Sequence, residues 1–273
     1  MDFQTFAPPE KLAPFIKYFW ALEGNGSADV EHTFNAIPDG CPGVIMVRSE
    51  KDAFYMNNEK KLPNIFLYGQ SVVPASFSSN GKLRAIGICF QPHALKSLFG
   101  MDADELTNSC VDLTLVGKNT HIPEQLSSAT NIDEQIKILS FYLFDQQQNH
   151  NRHPDELIKY AITQLTASKG ALSIKDLQQK VRMSERSLER KFKESVGISP
   201  KLYARVLRFQ ESMDQLRKGD YEKLSDIAYQ NDYADQSHFI RVFKEFTGYS
   251  PLEFKIQSNE VVGNFPEIKS KVI

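Results

Sequence analysis

The chain has 273 residues, 41% apolar and 24% charged, with 14 Gly and 13 Pro, a composition that excludes a disordered or fibrous protein and fits two ordinary globular domains. Its net charge of −2 divides near residue 150: residues 1–150 carry 11 Lys+Arg against 17 Asp+Glu, whereas residues 151–273 carry 21 against 17. The first half is therefore acidic and the second basic, which directs any polyanionic partner to the second, although an excess of this size also suits a merely solvated surface. The opening Met1-Asp2-Phe3-Gln4 lacks the basic patch and apolar core of a secretory signal. The longest apolar runs, such as Val44-Ile45-Met46-Val47, are too short to span a bilayer, so no membrane and a cytoplasmic location are expected. Cys41, Cys89 and Cys110 are odd in number and widely spaced, which fits reduced, buried thiols better than a disulfide framework, a metal site or redox chemistry.

In chain order, the first 115 residues read as β-rich. Short apolar runs at Gly43 to Val47, Asn64 to Tyr68 and Leu83 to Phe90 are separated by turn chemistry at Pro38-Asp39-Gly40 and Ser79-Asn80-Gly81. The imperfect alternation within Leu83 to Phe90 is that of a strand buried on one side or both. A helix is expected from Pro92 to Phe99, stopped by Gly100. From Pro123 the spacing turns helical, and Ile132, Ile136, Leu139 and Leu143 share one face that serves either as a dimer seam or as packing within the domain. The polar run Gln146 to Asn151 reads as a linker, which divides the chain into an N-terminal sensor or dimerisation domain at 1–148, a helical domain at 153–257 and a C-terminal tail at 258–273.

The helical region contains a repeat. Phe192-Lys193-Glu194-Ser195-Val196-Gly197-Ile198-Ser199-Pro200 recurs 51 residues later as Phe243-Lys244-Glu245-Phe246-Thr247-Gly248-Tyr249-Ser250-Pro251, and Leu177 matches Ile227 at an offset of 50. Each copy reads as helix, turn, helix, with one extra residue in the second turn. Gly197 and Gly248 suit the left-handed residue that closes a helix; Ser199 and Ser250 suit the cap of the next, and Pro200 and Pro251 its first position. Ser184 and Asp235 look like caps of the two second helices. Pro200 to Lys218 reads as one long connecting helix, burying Leu202, Val206, Phe209, Met213 and Leu216 and ending at Gly219.

With Leu188, Phe192 and Val196 turned inward, Arg186, Glu189, Arg190 and Lys193 face out from the first copy; with Phe239, Phe243 and Phe246 inward, Ser237, Ile240, Arg241 and Lys244 form the matching stripe of the second. On one helix a charged stripe is usually plain solvation. Two copies favour a pair of helices reading successive major grooves about one duplex turn, roughly 34 Å, apart, where Arg recognises guanine through two hydrogen bonds.

The tandem Phe-Lys-Glu...Gly-x-Ser-Pro pattern, together with Ile227-Ala228-Tyr229 and Asp235-Gln236-Ser237-His238-Phe239, resembles the AraC-type DNA-binding domain over residues 153–257. That resemblance implies that the second helix of each unit enters the major groove. Arg186, Glu189 and Arg190 of the first and Ser237, His238, Ile240 and Arg241 of the second are then placed near bases, and Lys193 and Lys244 near phosphate. His238 has a competing role as a cap and packing residue at its helix start. Gln178 stands where the family usually has Ala, and Asn231-Asp232-Tyr233 replaces a turn that commonly carries glycine. The resemblance implies a bacterial transcription regulator whose partners are promoter or operator double-stranded DNA and RNA polymerase, with room for a small-molecule effector and a homodimer.

Residues 5–145, through Pro38-Asp39-Gly40-Cys41, Phe90-Gln91-Pro92-His93 to Gly100 and Glu105-Leu106-Thr107, resemble the sensor-like domain of undescribed ligand found before AraC-type units. The usual Arg-Pro-Gly-Gly turn is here Gln91-Pro92-His93-Ala94. The fold class expected is α+β: a β-rich cupin-like half-barrel with helices, followed by an all-α domain with two helix-turn-helix units. Phe19, Trp20, Phe34, Phe66 and Tyr68 are either pocket-lining or plain core. A metal-dependent cupin-like enzyme with an accessory helical domain is the rival reading. His32, His93, His121, His150, His153 and His238 show no metal-ligand spacing and no catalytic motif is present, so no catalytic residue, metal or cofactor is expected. A constitutive DNA-binding protein with a purely dimerising first domain is a third reading.

Overall fold

A computed structural model of the chain describes residues 2–24, 31–49, 54–57, 60–80, 83–117, 121–150, 154–262 and 265–268. Its N-terminal strands are β1 (Asp2–Phe6), β2 (Ile16–Gly24), β3 (Glu31–Ala36), β4 (Gly43–Ser49), β5 (Phe54–Met56), β6 (Lys60–Lys61), β7 (Ile65–Tyr68), β8 (Ala75–Asn80) and β9 (Leu83–Phe90). After them come α1 (Ala94–Phe99), β10 (Cys110–Asp112), α2 (Ile122–Ser128) and α3 (Ile132–His150). The helical half follows as α4 (Glu156–Ala167), α5 (Ile174–Val181), α6 (Glu185–Val196), α7 (Pro200–Lys218), α8 (Leu224–Gln230), α9 (Gln236–Thr247) and α10 (Pro251–Gln257), and the chain returns to strand as β11 (Ser258–Val262) and β12 (Phe265–Ile268).

The strands build two six-stranded sheets, in the orders β1-β2-β9-β4-β7-β10 and β11-β12-β3-β8-β5-β6. Among the described residues every strand pairing is antiparallel and neither sheet closes into a barrel. The first sheet is covered on both faces. Trp20, Leu22, Ile45, Val47, Phe66 and Leu83 pack between the sheets with Phe34 and Phe77 of the second. Phe19, Val44, Met46, Leu67, Ile86 and Ile88 pack on the other face against Leu95, Leu98, Leu126, Leu139 and Leu143 of the helices. Double-sided burial accounts for the imperfect alternation of β9, since neither face meets water. The expected turn at Ser79-Asn80-Gly81 reaches outside the described residues.

Of the two roles open to the apolar stripe of α3, packing within its own domain is what the structure shows. Leu139 and Leu143 are buried, and Ile132 and Ile136 lie half-buried against the same core. The run Gln146 to His150 is the last turn of α3 and not a linker, because Gln is a good helix former and here places Gln146 on the buried side.

The helical half shares one core, built on Phe192, Tyr203, Phe209, Phe239, Phe243 and Phe246. Its helix ends follow the repeat. Ser184, Ser199, Asp235 and Ser250 each accept from a backbone N–H of the first turn, and Gly197 and Gly248 close α6 and α9 at φ 96° and 82°, the left-handed region in which a Cβ is costly. Between the helices of each unit, Arg182 and Asp232 stand 50 residues apart and both turn left-handed, at φ 52° and 54°. Neither unit therefore uses glycine there. Buried Asn231 stabilises the second turn by donating to Ile227 O and to Gln215 Oε1, both at 2.8 Å.

Residues 258–273, expected as a tail, include β11 and β12, a hairpin that joins the second sheet through the pairing of Glu267 with Phe34. The two halves also meet elsewhere. Ile37 enters the helical core, Gln210 Nε2 donates to Pro38 O at 2.5 Å, and Thr107 Oγ1 donates to Gly197 O at 2.7 Å.

Candidate nucleic-acid interface and a buried thiol cluster

α6 and α9 are the second helices of the two units, and each buries one stripe while exposing the other. On α6, Leu188, Phe192 and Val196 are buried, and Arg186, Glu189, Arg190 and Lys193 are exposed. The outer face holds two i,i+4 ion pairs, Arg190 with Glu194 at 2.7 Å and Lys193 with Glu189 at 3.0 Å. Such exposed pairs are worth a few tenths of a kcal/mol, so either cation exchanges its carboxylate for a stronger anion at little cost.

On α9, Ser237, Arg241 and Lys244 are exposed. Ile240 is half-buried against the helical core, so only part of it is offered to a partner. His238 occupies the capping role weighed against base contact: its Nδ1 accepts from Ala234 N–H at 3.4 Å and its ring lies edge-on to Tyr233 at 5.5 Å. All nine residues expected at the interface thus lie on the two second helices, seven of them exposed.

The same structure places Glu194 between the halves. Its carboxylate faces Lys96 of α1 at 3.7 Å, and Lys96 is paired with Asp102 at 2.7 Å. Beside them is a cleft lined by His93, Ser97, Asp155, Ile158, Arg190 and Glu194. His93 is buried, with neither ring nitrogen hydrogen-bonded, and burial, reinforced by the Lys159 charge and only partly opposed by Glu156, lowers its pKa to about 4.

Within the N-terminal half, two mainly apolar cavities flank the loop that carries Pro38-Asp39-Gly40-Cys41. Trp20, Phe34 and Tyr68 line the first, and Phe66 and Tyr68 the second, whereas Phe19 is plain core. Where the cavities approach each other, a ligand atom of Asp39, Cys41 Sγ and Cys89 Sγ lie within 4.8 Å of one another. Lys17 is an exposed residue whose ammonium is turned inward, donating to Cys41 Sγ at 2.8 Å. The Cys89 thiol donating to Cys41, aided by Lys17, holds Cys41 below the ordinary thiol value against the opposing effect of burial. Burial raises the pKa of Asp39, partly countered by Lys17.

No signal in the sequence could have found this cluster. Cys41 and Cys89 are 48 residues apart, and they meet because β4 and β9 pair with Gly43 opposite Cys89. Among the described residues it is the one group of three or more His, Cys, Asp or Glu with metal-ligand proximity, and it contains no histidine. No helix among them is long and apolar enough to cross a membrane.

Two helix-turn-helix units joined by a long helix, with cationic stripes on both second helices, define a tandem helix-turn-helix module carried on a sheet domain. Residues 177–257 match the family model described as a helix-turn-helix domain, and residues 4–112 match a domain of unknown function (DUF6597). Residues 177–257 thus carry a helix-turn-helix domain, and residues 4–112 a domain whose role the match does not give.

An uncharacterised HTH-type transcriptional regulator of Staphylococcus aureus (strain MSSA476) is 33% identical over 84 residues, 31% of this chain and 11% of that protein. The HTH-type transcriptional activator RhaS of Enterobacter sp. (strain 638) is 34% identical over 73 residues, 27% of this chain and 26% of its own length. The matched segment therefore spans only about a tenth to a quarter of these relatives. Among solved structures, ToxT from Vibrio cholerae superposes with a TM-score of 0.51 at 16% identity, covering 87% of this chain and 98% of that one. Its unsaturated fatty acid-bound form gives 0.50 at 16% identity, covering 86% and 94%. At that identity the likeness is one of fold.

Proposed function

We propose that this protein is a sequence-specific DNA-binding transcriptional regulator, not an enzyme, in which α6 and α9 read successive major grooves and the sheet domain responds to a small apolar effector. The observation that carries the reading is the exposure of Arg190 and Lys193 on α6 and of Arg241 and Lys244 on α9, at matching places 51 residues apart in the two copies. Arg186, Glu189, Arg190, Ser237 and Arg241 face the bases, with Ile240 and His238 at the edge of the contact, and Lys193 and Lys244 bind phosphate. The regulator works in the cytoplasm on promoter or operator DNA, with RNA polymerase as a further partner and a second copy of the chain as its dimer mate. Its domains are an effector domain at 1–148 and the DNA-binding domain at 153–257, with residues beyond 257 completing the sheet of the first.

The effector reading is supported by the aromatic wall of the first cavity, where Trp20, Phe34, Phe54 and Phe77 offer the apolar lining typical of small-molecule sites. The fatty acid held by ToxT is a ligand of comparable character.

Selection of duplexes from a random pool tests the DNA reading. A recovered motif, bound with an affinity that falls steeply as salt rises, is expected, because Lys and Arg contacts release counterions from phosphate. Arg190→Ala and Arg241→Ala should each weaken that binding about tenfold or more while hardly changing the melting temperature. Retention of no sequence, or unfolding by either substitution, defeats the reading.

A further inference from the structure

The cluster of Asp39, Cys41 and Cys89 is unused by any reading of the DNA-binding surface. Both cysteines are 3% exposed, and each lines a cavity, the first lined by Asp39 and Cys89 and the second by Asp39 and Cys41.

We propose that Asp39, Cys41 and Cys89 form a binding site for one thiolate-seeking divalent cation of the zinc type, with the fourth coordination position open to the cavity. Two sulfurs and a carboxylate oxygen are a donor set that selects zinc over the hard oxygen-seeking cations, and three protein ligands with one open position are a recurring zinc arrangement. Tetrahedral geometry with Zn–S bonds of about 2.3 Å sets the two sulfurs about 3.7 Å apart. The three ligand atoms already lie within 4.8 Å, so closure onto a cation needs a contraction of about 1 Å or less, within reach of side-chain rotation.

The loop is also folded for this purpose. Asp39 Oδ1 accepts from Cys41 N–H at 2.9 Å, which turns the carboxylate and the thiol toward the same point, and a carboxylate has lone pairs enough to accept that bond and ligate as well.

Charge balance favours the exchange. With the thiols protonated, the Asp39 carboxylate is offset by the Lys17 ammonium. When a divalent cation enters, Cys41 and Cys89 each form a bond from sulfur to metal and release a proton to solvent, so the two lost protons and the gained charge cancel. Cation entry therefore displaces the Lys17 ammonium from Cys41 Sγ, and Lys17, an exposed residue, carries it out to solvent. Cys110 lines the second cavity but lies outside the cluster, so it is the internal control. The inference stands on these three donors and is independent of whether the protein binds DNA.

Titration of the reduced, full-length protein with Co2+ as a spectroscopic substitute for Zn2+ tests the site. A sulfur-to-metal charge-transfer band in the near ultraviolet, saturating at about one ion per chain, is expected, with visible bands of tetrahedral intensity. Zinc should displace the cobalt and slow the reaction of Cys41 and Cys89 with an aromatic disulfide reagent relative to the zinc-free chain, leaving the rate at Cys110 unchanged. Cys41→Ser and Cys89→Ser should each lower the affinity at least tenfold and diminish the band; Cys110→Ser should leave both unchanged. Asp39→Asn should weaken binding while keeping the charge-transfer band. Should a serine variant fail to fold, the zinc-dependent change in the rates of the individual thiols on the unmodified chain still decides. Absence of a saturable band, protection that includes Cys110 in place of Cys41 or Cys89, or a Cys41–Cys89 disulfide that forms in air and is indifferent to zinc would each overturn the proposal.

Discussion

Arg190 donates to Glu194 across one turn of α6 at 2.7 Å. The acceptor also faces Lys96 of the sheet domain at 3.7 Å, so one carboxylate joins a proposed base-reading arginine to the other half of the molecule. Glu194→Gln removes the competing charge. It should tighten binding to the selected duplex about twofold, the worth of an exposed ion pair, and change stability by no more than a few tenths of a kcal/mol. Fluorescence anisotropy at fixed salt measures this, and weaker binding would mean that Glu194 aims Arg190 at its base.

Phe192 is fully buried, with its ring centroid 5.6 Å from that of Tyr203. Phe192→Ala leaves a cavity between α6 and α7 and should cost about 3–5 kcal/mol. Urea unfolding reads the loss directly, and a change below about 1 kcal/mol would show that the unit collapses around the missing ring.

Gly40 has φ 76°, and a Cβ built there would lie 2.9 Å from Cε2 of Tyr203. Gly40→Ala therefore combines backbone strain with a clash between the halves, and should destabilise by about 1–2 kcal/mol or more. Repeating it in a Tyr203→Leu background separates the two. The clash disappears and the strain remains, so the double-mutant cycle should show a coupling energy of at least about 0.5 kcal/mol.

His93 is neutral in the folded protein down to about pH 4, whereas an unfolded histidine takes up its proton near pH 6.5. The unfolded state thus binds more protons between these values, and stability falls as pH drops from about 6.5 toward 4, levelling below that. The full shift corresponds to roughly 3 kcal/mol as an upper bound. Urea midpoints collected across this window for the unmodified chain and for His93→Gln should diverge by a part of that amount, the histidine protein losing more. Parallel curves would show that the cleft opens and lets the ring protonate where it stands.

The helical half was legible in the sequence because its signals are local. Ser184, Asp235, Gly197 and Gly248 act within a turn of their own positions, and duplication displays each signal twice. The strands at Gly43 to Val47 and Leu83 to Phe90 were legible for the same reason. What stayed hidden depends on pairing at a distance. The thiol cluster requires the register that sets Gly43 opposite Cys89, and nothing near either cysteine encodes it. Gln146 to His150 misled through composition, since a polar tract on a half-exposed helix has the same letters as a linker. The extension of the second sheet by residues beyond 257 is likewise a long-range pairing, with Phe34 as the partner.

That last pairing has a mechanical consequence. The helical module is entered after α3 and left through β11 and β12, so it is anchored to the sheet domain at both of its ends. Once the contacts of Ile37, Gln210 and Thr107 between the halves release, a body still held at its two ends swings about the line between them instead of drifting on a tether. Any repositioning of α6 and α9 along a duplex is then a rotation about that axis, and a larger excursion must first unzip the strand that lies beside Phe34.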